Sequence, residues 1–285
     1  MASPLRPLAA CRLVVFDTET TGLSAVNDRV LEIAAVSMEN GAETGRFESL
    51  VDPGIPIPPE ISAIHGITDE MVRDQPSFGD AARRFLEFAG DDVLAAHNAP
   101  YDVSMMLLPS RAAGLAPRGN PVLDTHRLAR RLLKAPRYAL GPLAASLGIA
   151  MPIAHRAMAD VVACVGVLKA CLAALGPHAT LADAEKASAS RLAFGAAPEG
   201  TPALPDRLAA LAASLGNGAA FAIVYRSGSK GDAPRPVTPL FLLEIAGELN
   251  LAAECHIDRS SKNFIVDRIA SARPFISSSG PPSAP

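Results

Sequence analysis

Two hydrophobic periods alternate along the first 175 residues. Short apolar runs bounded by turn residues predict buried strands, whereas apolar positions three or four residues apart predict helices. Three strands come first, the pair Asn40-Gly41 predicts a hairpin between the second and third, and helices and strands then alternate. We therefore expect an α/β fold in which helices flank a mixed sheet. The predicted strands are RLVVFDTE, RVLEIAAVSMEN, ETGRFESLVDP, DVLAAHNA and the start of PVLDTHRLARRLLK; the predicted helices are PSFGDAARRFLEFAG, PYDVSMMLLPSRAAG, the rest of PVLDTHRLARRLLK, LGPLAASLGI and HRAMADVVACVGVLKACLAAL.

The pattern changes after residue 175. Residues 176–204 are rich in Ala, Pro and Gly and predict a linker with one or two helical turns. Residues 205–272 predict a small β-rich domain, and the polar, Pro-rich residues 273–285 predict a disordered tail. The domain before the linker spans residues 11–175. The predicted strands of the small domain are FAIVYR, RPVTPLFLLEI, LNLAAECHI and NFIVDRI.

Composition limits the classes of function. The formal net charge is −3, so any contact with nucleic acid depends on a local basic patch. The four cysteines form no CxxC pair, which argues against a zinc site or a disulfide framework and favours a reducing cytoplasm. The start of the chain does not resemble a signal peptide, and the apolar run VVACVGVLKACLAAL is short for a membrane span and contains Lys169. We expect a cytoplasmic protein with no membrane partner.

Two acids follow the first apolar run. Asp17 and Glu19 are two residues apart, so on a strand both side chains point to one face. Two carboxylates placed there repel each other and lose hydration unless a cation or hydrogen-bond donors compensate them. The pair alone leaves two interpretations open, because a strand end at which both acids reach water has the same pattern.

Two further acids favour a metal site. Asp102 lies in HNAPYD after a predicted buried strand, and Asp160 lies in HRAMAD at the start of the last long helix. Folding can bring such acids together, and Mg²⁺ and Mn²⁺ prefer oxygen ligands. Enzymes of phosphoryl transfer often use two such ions about 3.5–4 Å apart.

Together these motifs resemble those of the DEDDh, or DnaQ-like, 3′–5′ exonucleases. The resemblance covers residues 11–175 and rests on the order and spacing of four segments. It implies a ribonuclease H-like fold and a hydrolase that removes nucleoside 5′-monophosphates from a nucleic-acid 3′ end, with DNA favoured over RNA. The four segments are FDTETTGL, IHGITDEMV, AAHNAPYD and HRAMAD.

The resemblance also implies a role for each matching residue. Asp17, Glu19, Asp102 and Asp160 match the four acids that would hold two divalent cations, Mg²⁺ or Mn²⁺. His155 matches the histidine that would take a proton from the attacking water, and an imidazole with its ordinary pKa of about 6.5 suits that task. A related branch uses a tyrosine closer to its last aspartate, and this sequence has none there.

Several residues are candidates for holding the 3′ end. The turn after the acids resembles a terminal-nucleotide pocket in which backbone groups meet the 3′-hydroxyl and a leucine contacts a base or sugar. An ordinary turn, in which Gly22 supplies a backbone conformation that Ala would resist, is compatible with the same residues. The candidates are Thr18, Thr20, Thr21, Gly22 and Leu23, together with His65 and Asn98, which are equally open to a structural role.

A basic helical face follows from spacing alone. Arg127, Arg130, Arg131 and Lys134 fall at positions i, i+3, i+4 and i+7 of a predicted helix. Such a face predicts contacts with a phosphate backbone. A solvated face that pairs with acids from other parts of the chain is the alternative.

The C-terminal domain resembles the WYL domain, a small SH3-like β module. The segments RPVTP and KNFIVDRI carry the likeness, which covers residues 218–270. The name-giving triplet is degraded to Leu249-Asn250-Leu251, and Lys262 stands where the family usually has Arg. The resemblance implies a sensor or a nucleic-acid-binding role, and a docking or stabilising module is the alternative.

Two functions of different class result. The first is a metal-dependent exonuclease whose partner is a single-stranded or 3′-ended nucleic acid. The second is a regulatory protein that senses or binds nucleic acid or nucleotides and uses the nuclease fold as a scaffold, although a scaffold needs neither the four acids nor His155. Parts of the exonuclease family form homodimers, which the sequence leaves open. No clamp-binding motif of the Gln-x-x-Leu type supports association with a polymerase.

Overall fold

The computed structural model describes residues 7–151, 155–195, 197–226 and 233–275. Most of the predicted tail, residues 276–285, lies outside the described residues. Two β-sheets organise the described chain, and the strand order of the first is β3-β2-β1-β4-β5-β7. Its strands are β1 (Leu13–Thr20), β2 (Val30–Glu39), β3 (Ala42–Leu50), β4 (Val93–Ala96), β5 (Asn120–Asp124) and β7 (Ala193–Phe194).

The first sheet is mixed, as predicted. Strands β1, β4 and β5 run parallel, whereas β1 and β2, and β2 and β3, pair antiparallel. The turn between β2 and β3 has positive φ at Asn40 (51°) and Gly41 (76°), which confirms the predicted hairpin. Parallel strands bring their carboxyl ends to one edge, where β1 carries Asp17 and Glu19 near its end and β4 ends two residues before Asn98.

Helices cover both faces of this sheet. Short helices α1 and α2 follow β3, α3 and α4 pack on one face, and α5, α6 and α7 belong to the other. The helices are α1 (Pro59–His65), α2 (Asp69–Val72), α3 (Phe78–Ala89), α4 (Pro100–Ala112), α5 (Thr125–Leu132), α6 (Leu140–Ser146) and α7 (Ala157–Leu175). Helices α3 to α7 correspond to predicted helices. Helices α1 and α2 were not predicted; α2 lies within the IHGITDEMV segment, and α1 ends at its second residue.

Helix α7 is longer than the apolar run indicated. Its 19 residues make it long and apolar enough to cross a membrane by length and composition, so the argument that it is too short is wrong. In the fold α7 packs on β1 and β2, and Val161, Cys164 and Val167 are buried in the core between them. These contacts are those of a core helix.

The predicted linker contains more structure than one or two free turns. Helix α8 (Leu181–Ser188) begins with a capping box, in which the Thr180 side chain and the Asp183 side chain each bond the other's backbone N–H. Strand β6 (Ser190–Arg191) then pairs with the second sheet, and β7, two residues later, pairs with β5. The segment therefore joins the two sheets directly.

The second sheet is antiparallel, with the order β11-β10-β9-β8-β12. The stretch NFIVDRI does not form one strand, because a 3₁₀ turn at Val266–Arg268 separates β11 from a strand that was not predicted, β12. A 3₁₀ turn (Asp206–Leu208) and helix α9 (Ala209–Ala212) precede the sheet. Its strands are β8 (Phe221–Tyr225), β9 (Arg235–Ile245), β10 (Glu248–Cys255), β11 (Ser260–Ile265) and β12 (Ile269–Pro274).

The two sheets share a hydrophobic core. Leu240, Phe241, Leu243 and Ala252 of β9 and β10 pack in the cluster that contains the buried side chains of α3 and α4. Burial of these apolar side chains between the two domains stabilises a fixed arrangement of the domains. The other face of the second sheet forms a separate small core around Ile223, Leu251 and Phe264, so β10 contributes to both.

Candidate metal centre and active site

Strand β1 delivers side chains to two layers. Val14 and Phe16 pack with α3 and α4, whereas Leu13 and Val15 pack with α7, as alternation along a strand requires. Asp17 and Glu19 continue the α7 face, and Thr18 continues the other. The register with β2 shifts between Glu19 and Thr20, so a bulge turns the strand at this point.

Three carboxylates converge beside β1. Asp17, Glu19 and Asp160 each offer an oxygen, and these oxygens lie within 4.8 Å of one another. Asp160 lies in the first turn of α7, and its Oδ1 is buried with no hydrogen-bond partner among the described residues. Acids distant in sequence therefore meet, as the metal-site interpretation requires.

Burial raises the pKa of all three acids. It acts together with repulsion from Asp102, Asp160, Glu19 and Glu32 on Asp17, whose pKa lies well above its usual range. Burial and repulsion from Asp160, Glu32 and Asp102 raise the pKa of Glu19 to about 8. The pKa of Asp160 is raised to about 6, mainly by burial and against the lowering effect of His155.

Asp102 reaches the same place from the opposite layer. It lies in the first turn of α4, is 2% exposed, and accepts hydrogen bonds from the Thr18 backbone N (3.1 Å) and Oγ1 (2.9 Å). Burial raises the pKa of Asp102 to about 7 although these hydrogen bonds lower it. Asp102 is outside the group of three converging oxygens but contributes the largest repulsion on Asp17.

This donor set fits divalent cations. Four carboxylates with raised pKa values repel one another, and no described residue donates a hydrogen bond to the buried Oδ1 of Asp160. Oxygen-only sites of this kind suit Mg²⁺ and Mn²⁺ rather than softer ions. A cation would supply the positive charge that the described side chains around Asp17 do not.

His155 lies in the turn before α7, five residues before Asp160. It is exposed and has a φ of 59°, a left-handed conformation that is unusual for histidine. The next residue, Arg156, is the N-cap of α7 and forms an ion pair with Glu32 of β2. Glu32 is fully buried and also accepts a hydrogen bond from the Ala157 backbone N (3.0 Å).

Sequence reasoning missed Glu32 and Arg156. Glu32 stands directly opposite Glu19 in the sheet and holds the start of α7 against β2. The signal was present, because one glutamate interrupts the apolar run RVLEIAAV, and a lone acid in a buried strand requires a partner.

The turn after β1 is held by internal hydrogen bonds. Thr20 Oγ1 donates to Gly22 O (2.7 Å) and contacts Tyr101 Oη (2.7 Å), and the Tyr101 hydroxyl also lies 3.0 Å from Gly22 O. Thr18, Thr20 and Thr21 are buried, so their side chains support the turn. Leu23 is 69% exposed at its tip and is free to contact a ligand.

Gly22 is required for a reason other than the expected one. Its φ lies outside the left-handed region, so backbone conformation does not exclude Ala, and that expectation is wrong. A Cβ at Gly22 would lie 2.5 Å from the Asp28 carboxylate, which accepts a hydrogen bond from the Ser24 backbone N (2.8 Å). Close approach of Asp28 therefore selects glycine.

His65 and Asn98 differ in exposure. His65 is 4% exposed at the end of α1; its Nδ1 accepts from the Ile67 backbone N (3.0 Å), and its Nε2 is buried without a described partner. Asn98 is exposed after β4, with a φ of 67°, and its backbone N donates to Asp124 Oδ1 (3.2 Å).

The basic face is shorter than predicted. Helix α5 ends at Leu132, and Leu133 is extended, so Lys134 does not lie on the helical face with the three arginines. Pro136 explains this end, because its ring would clash with the Leu132 carbonyl if the helix continued. Arg127 pairs with Asp124 (3.7 Å), whereas Arg130 and Arg131 are exposed and have no ion pair among the described residues.

The WYL-like residues form a polar cluster on the other face of the second sheet. Arg235 and Lys262 both contact Asp258 Oδ2, at 3.2 and 2.7 Å. Arg235 also lies over the Phe264 ring, 5.8 Å from its centroid. The triplet Leu249-Asn250-Leu251 lies on β10, where Leu251 is buried in the small core.

Comparison with family models identifies two regions. A model described as exonuclease, of the RNase T type, matches residues 14–168, which is more than half of the chain. A WYL domain model matches residues 206–274. Both resemblances inferred from motifs are thereby confirmed.

The curated relatives include PolC-type DNA polymerases III. The chain is 40% identical over 155 residues to a PolC-type DNA polymerase III of Pediococcus pentosaceus and 42% identical over 156 residues to that of Bacillus cereus. These matches cover 54% of this chain and 11% of each polymerase. The chain thus spans about a tenth of the length of these relatives.

Solved exonuclease structures share the fold. Exonuclease X in complex with 5′ overhanging duplex DNA aligns with a TM-score of 0.52 and 28% identity, over 62% of this chain and 99% of that one. Escherichia coli exonuclease I in complex with a dA16 oligonucleotide aligns with a TM-score of 0.53 and 18% identity, over 85% of this chain and 55% of that one. The second likeness concerns the fold alone.

Proposed function

Since the chain belongs to the exonuclease family, we propose that it is a metal-dependent 3′–5′ exonuclease that hydrolyses phosphodiester bonds and releases nucleoside 5′-monophosphates. The convergence of Asp17, Glu19 and Asp160 at the end of β1 carries this proposal, together with the buried Oδ1 of Asp160, which has no donor in the part of the chain that the structure describes. A scaffold that only bound nucleic acid would gain nothing from this mutual repulsion.

Asp17, Glu19 and Asp160 would hold two divalent cations, Mg²⁺ or Mn²⁺, with Asp102 as the fourth acid. Such ions, when bound, favour ionisation of the attacking water and stabilise negative charge on the phosphate oxygens. Asp102 accepts two hydrogen bonds from Thr18, which fix the orientation of its carboxylate toward the site. The protein's own contribution is therefore to place four acids rigidly at the ends of β1, α4 and α7.

His155 would accept the proton of the attacking water. Its exposed position next to Asp160 leaves the imidazole accessible to a substrate-bound water, and the ion pair between Glu32 and Arg156 fixes the backbone that follows it. The proposed general base, His155, thus lies in a turn that is followed by Arg156, and Arg156 is paired with Glu32 of the sheet.

The turn Thr20–Leu23 would stop the 3′ end. Its threonine side chains hold the backbone, so that backbone groups and Leu23 face the terminal nucleotide. His65, whose buried Nε2 has no hydrogen-bond partner among the described residues, and the exposed Asn98 are further candidate contacts. Arg127, Arg130, Arg131 and the more distant Lys134 would contact phosphates of the incoming strand.

DNA is the favoured substrate. The relatives are DNA polymerases, and the aligned exonuclease structures are described in complex with DNA. The four cysteines are buried and unpaired, in keeping with a reducing cytoplasm as the location.

The test determines whether the substrate is shortened and from which end. DNA and RNA oligonucleotides labelled at the 5′ end are incubated with Mg²⁺, Mn²⁺ or EDTA, and the products are resolved at single-nucleotide resolution. We expect a metal-dependent ladder that shortens from the 3′ end and disappears in Asp17→Ala and Asp160→Asn. Asp91→Ala, which removes an exposed acid of the same domain, serves as the control. Binding without shortening under every metal condition would support the regulatory alternative.

A further inference from the structure

A cleft lies between the first domain and the second sheet. Its volume is about 820 Å³, in the upper part of the range of about 300–1,000 Å³ found for ligand sites. Its lining residues include Leu23 of the 3′-end turn and Tyr101, whose hydroxyl contacts that turn. The cleft is therefore continuous with the place where the proposed substrate would end.

The two walls of the cleft come from different domains. The first wall carries Arg127, Arg130 and Arg131 of α5. The opposite wall is the C-terminal sheet, where Ser260, Ser261 and Asn263 of β11 line the space. The arginine side chains of α5 thus face the small polar side chains of β11 across the cleft. Phe241 and Ala252 close one side of this cleft.

This arrangement matches a single nucleic-acid strand. Exposed arginines without ion pairs attract phosphates, whereas hydroxyl and amide groups can bond sugars and bases. Ser261 and Asn263 are exposed and alternate with Lys262 on β11, so they share one sheet face, while Lys262 pairs with Asp258 at the WYL-like cluster. One face of β11 thus lines the cleft, and its opposite face contributes Lys262 to the WYL-like polar cluster.

A buried glutamate of the second wall lies beside Ser24 and Ala25, the two residues that follow the 3′-end turn. Glu254 of β10 is 1% exposed, and the Ser261 hydroxyl donates to its Oε2 (3.3 Å). Burial raises the pKa of Glu254, and the Ser24 side chain and the Ala25 backbone N–H lower it. Ser24 and Ala25 therefore lie beside this carboxylate. Ala25 is itself buried in the core shared by the two domains.

We propose that the C-terminal sheet forms the second wall of the substrate cleft and that this cleft holds the single-stranded nucleotides preceding the 3′ end, with phosphates toward Arg130 and Arg131 and bases or sugars toward Ser261 and Asn263. This inference rests on the proposed exonuclease function. It assigns to the C-terminal domain a direct part in substrate recognition.

The test compares two substrates. The p-nitrophenyl ester of thymidine 5′-monophosphate reaches only the terminal-nucleotide site, whereas a single-stranded oligonucleotide also fills the cleft. We expect Ser261→Glu and Asn263→Glu each to lower the ratio of kcat/KM on the oligonucleotide to kcat/KM on the ester by about fivefold or more, the effect of one unit charge about 4 Å from another in water. Ser271→Glu, on β12 away from the cleft, should leave the ratio unchanged.

The possible failures are distinguishable. If both cleft variants keep the wild-type ratio while the oligonucleotide and the ester are hydrolysed, the second wall is not a substrate surface and the inference is overturned. If the wild-type protein hydrolyses neither substrate, the proposed function fails. Fluorescence anisotropy with a labelled oligonucleotide in EDTA then tests, without hydrolysis, whether the cleft binds a single strand. In that measurement, equal affinity of wild type, Ser261→Glu and Asn263→Glu would also overturn it.

Discussion

Glu32 and Arg156, which are 124 residues apart, form a two-point ion pair with N–O distances of 2.7 and 3.1 Å. Glu32 is fully buried on β2, and Arg156 is the residue between His155 and α7. The same carboxylate accepts the Ala157 backbone N–H, an otherwise unpaired donor at the helix start. One buried acid thus fixes the helix that carries Asp160 and the turn that carries His155.

Replacing Arg156 by Ala should destabilise the protein and lower its activity. The change leaves the Glu32 charge buried without its cation, and removing one partner of a buried pair costs about 3–5 kcal/mol. We expect the lower end of that range in urea unfolding, since one third of the Arg156 side chain is exposed. Exonuclease activity should fall in conditions where the variant is still folded, because His155 and Asp160 lose their anchor.

The exposed pair between Arg83 and Asp80 provides the control for this variant. Both side chains are more than half exposed, so Arg83→Ala should cost about 1 kcal/mol or less. Equal destabilisation by Arg83→Ala and Arg156→Ala would contradict the anchoring role of Glu32.

Metal should stabilise the protein, and more strongly at high pH. The folded pKa values of Glu19 (about 8), Asp102 (about 7) and Asp160 (about 6) lie above their ordinary values of 4.5, 3.8 and 3.8. Between pH 4 and 8 the folded chain therefore binds more protons than the unfolded chain, and the unfolding free energy of the metal-free protein falls as pH rises. Metal needs the deprotonated acids, so its stabilising effect grows over the same interval.

Thermal unfolding with EDTA or Mg²⁺ at pH 5.5 and 8 measures this effect. At a free Mg²⁺ concentration of one hundred times Kd, linkage raises the unfolding free energy by about 2.7 kcal/mol. Asp17→Asn removes a buried repelling charge, so at pH 8 this variant should be more stable than wild type in EDTA and gain less from Mg²⁺. A Mg²⁺ shift of wild-type size in Asp17→Asn would argue against this ligand set.

Tyr101→Phe should loosen the 3′-end turn with a small effect on stability. The change removes the hydroxyl that contacts Thr20 Oγ1 and Gly22 O, and one such group contributes about 0.5–1.5 kcal/mol. Because the turn holds Leu23 in place, we expect KM for a single-stranded oligonucleotide to rise. Tyr138→Phe, which loses one hydrogen bond to Leu133 O away from this turn, is the matched control and should keep the wild-type KM.

Local patterns could predict most of the first domain. Each strand and helix there is either amphipathic or buried, and its apolar residues recur with the single period of a strand or of a helix. The turn Asn40-Gly41, the helix end at Gly90 and the strand before Asp17 all followed from local rules. The four acids could be grouped into one site only through the family resemblance, because their separation in sequence does not give their distance in space.

Long-range packing explains what could not be predicted. The pairing of Glu32 with Arg156 joins positions that no local pattern relates, and the early end of α5 depends on Pro136 rather than on the spacing of its basic residues. Residues 176–204 look like a linker because their strands are two residues long, and such strands exist only by pairing with β5 and β9. The cleft needs both sheets in place before it can be recognised.

Arg130→Glu combined with Arg131→Glu should weaken binding of single-stranded DNA and flatten its salt dependence. For single strands the slope of log K against log salt is about −0.7 per phosphate contact, so losing two contacts should reduce its magnitude by about 1.4. Anisotropy titrations in EDTA at several salt concentrations give the slope without cleavage. Arg46→Glu combined with Arg83→Glu makes the same charge change at exposed sites on β3 and α3, outside the cleft. If both double variants weaken binding equally, net charge rather than the α5 face determines affinity, and the phosphate contacts must be placed elsewhere.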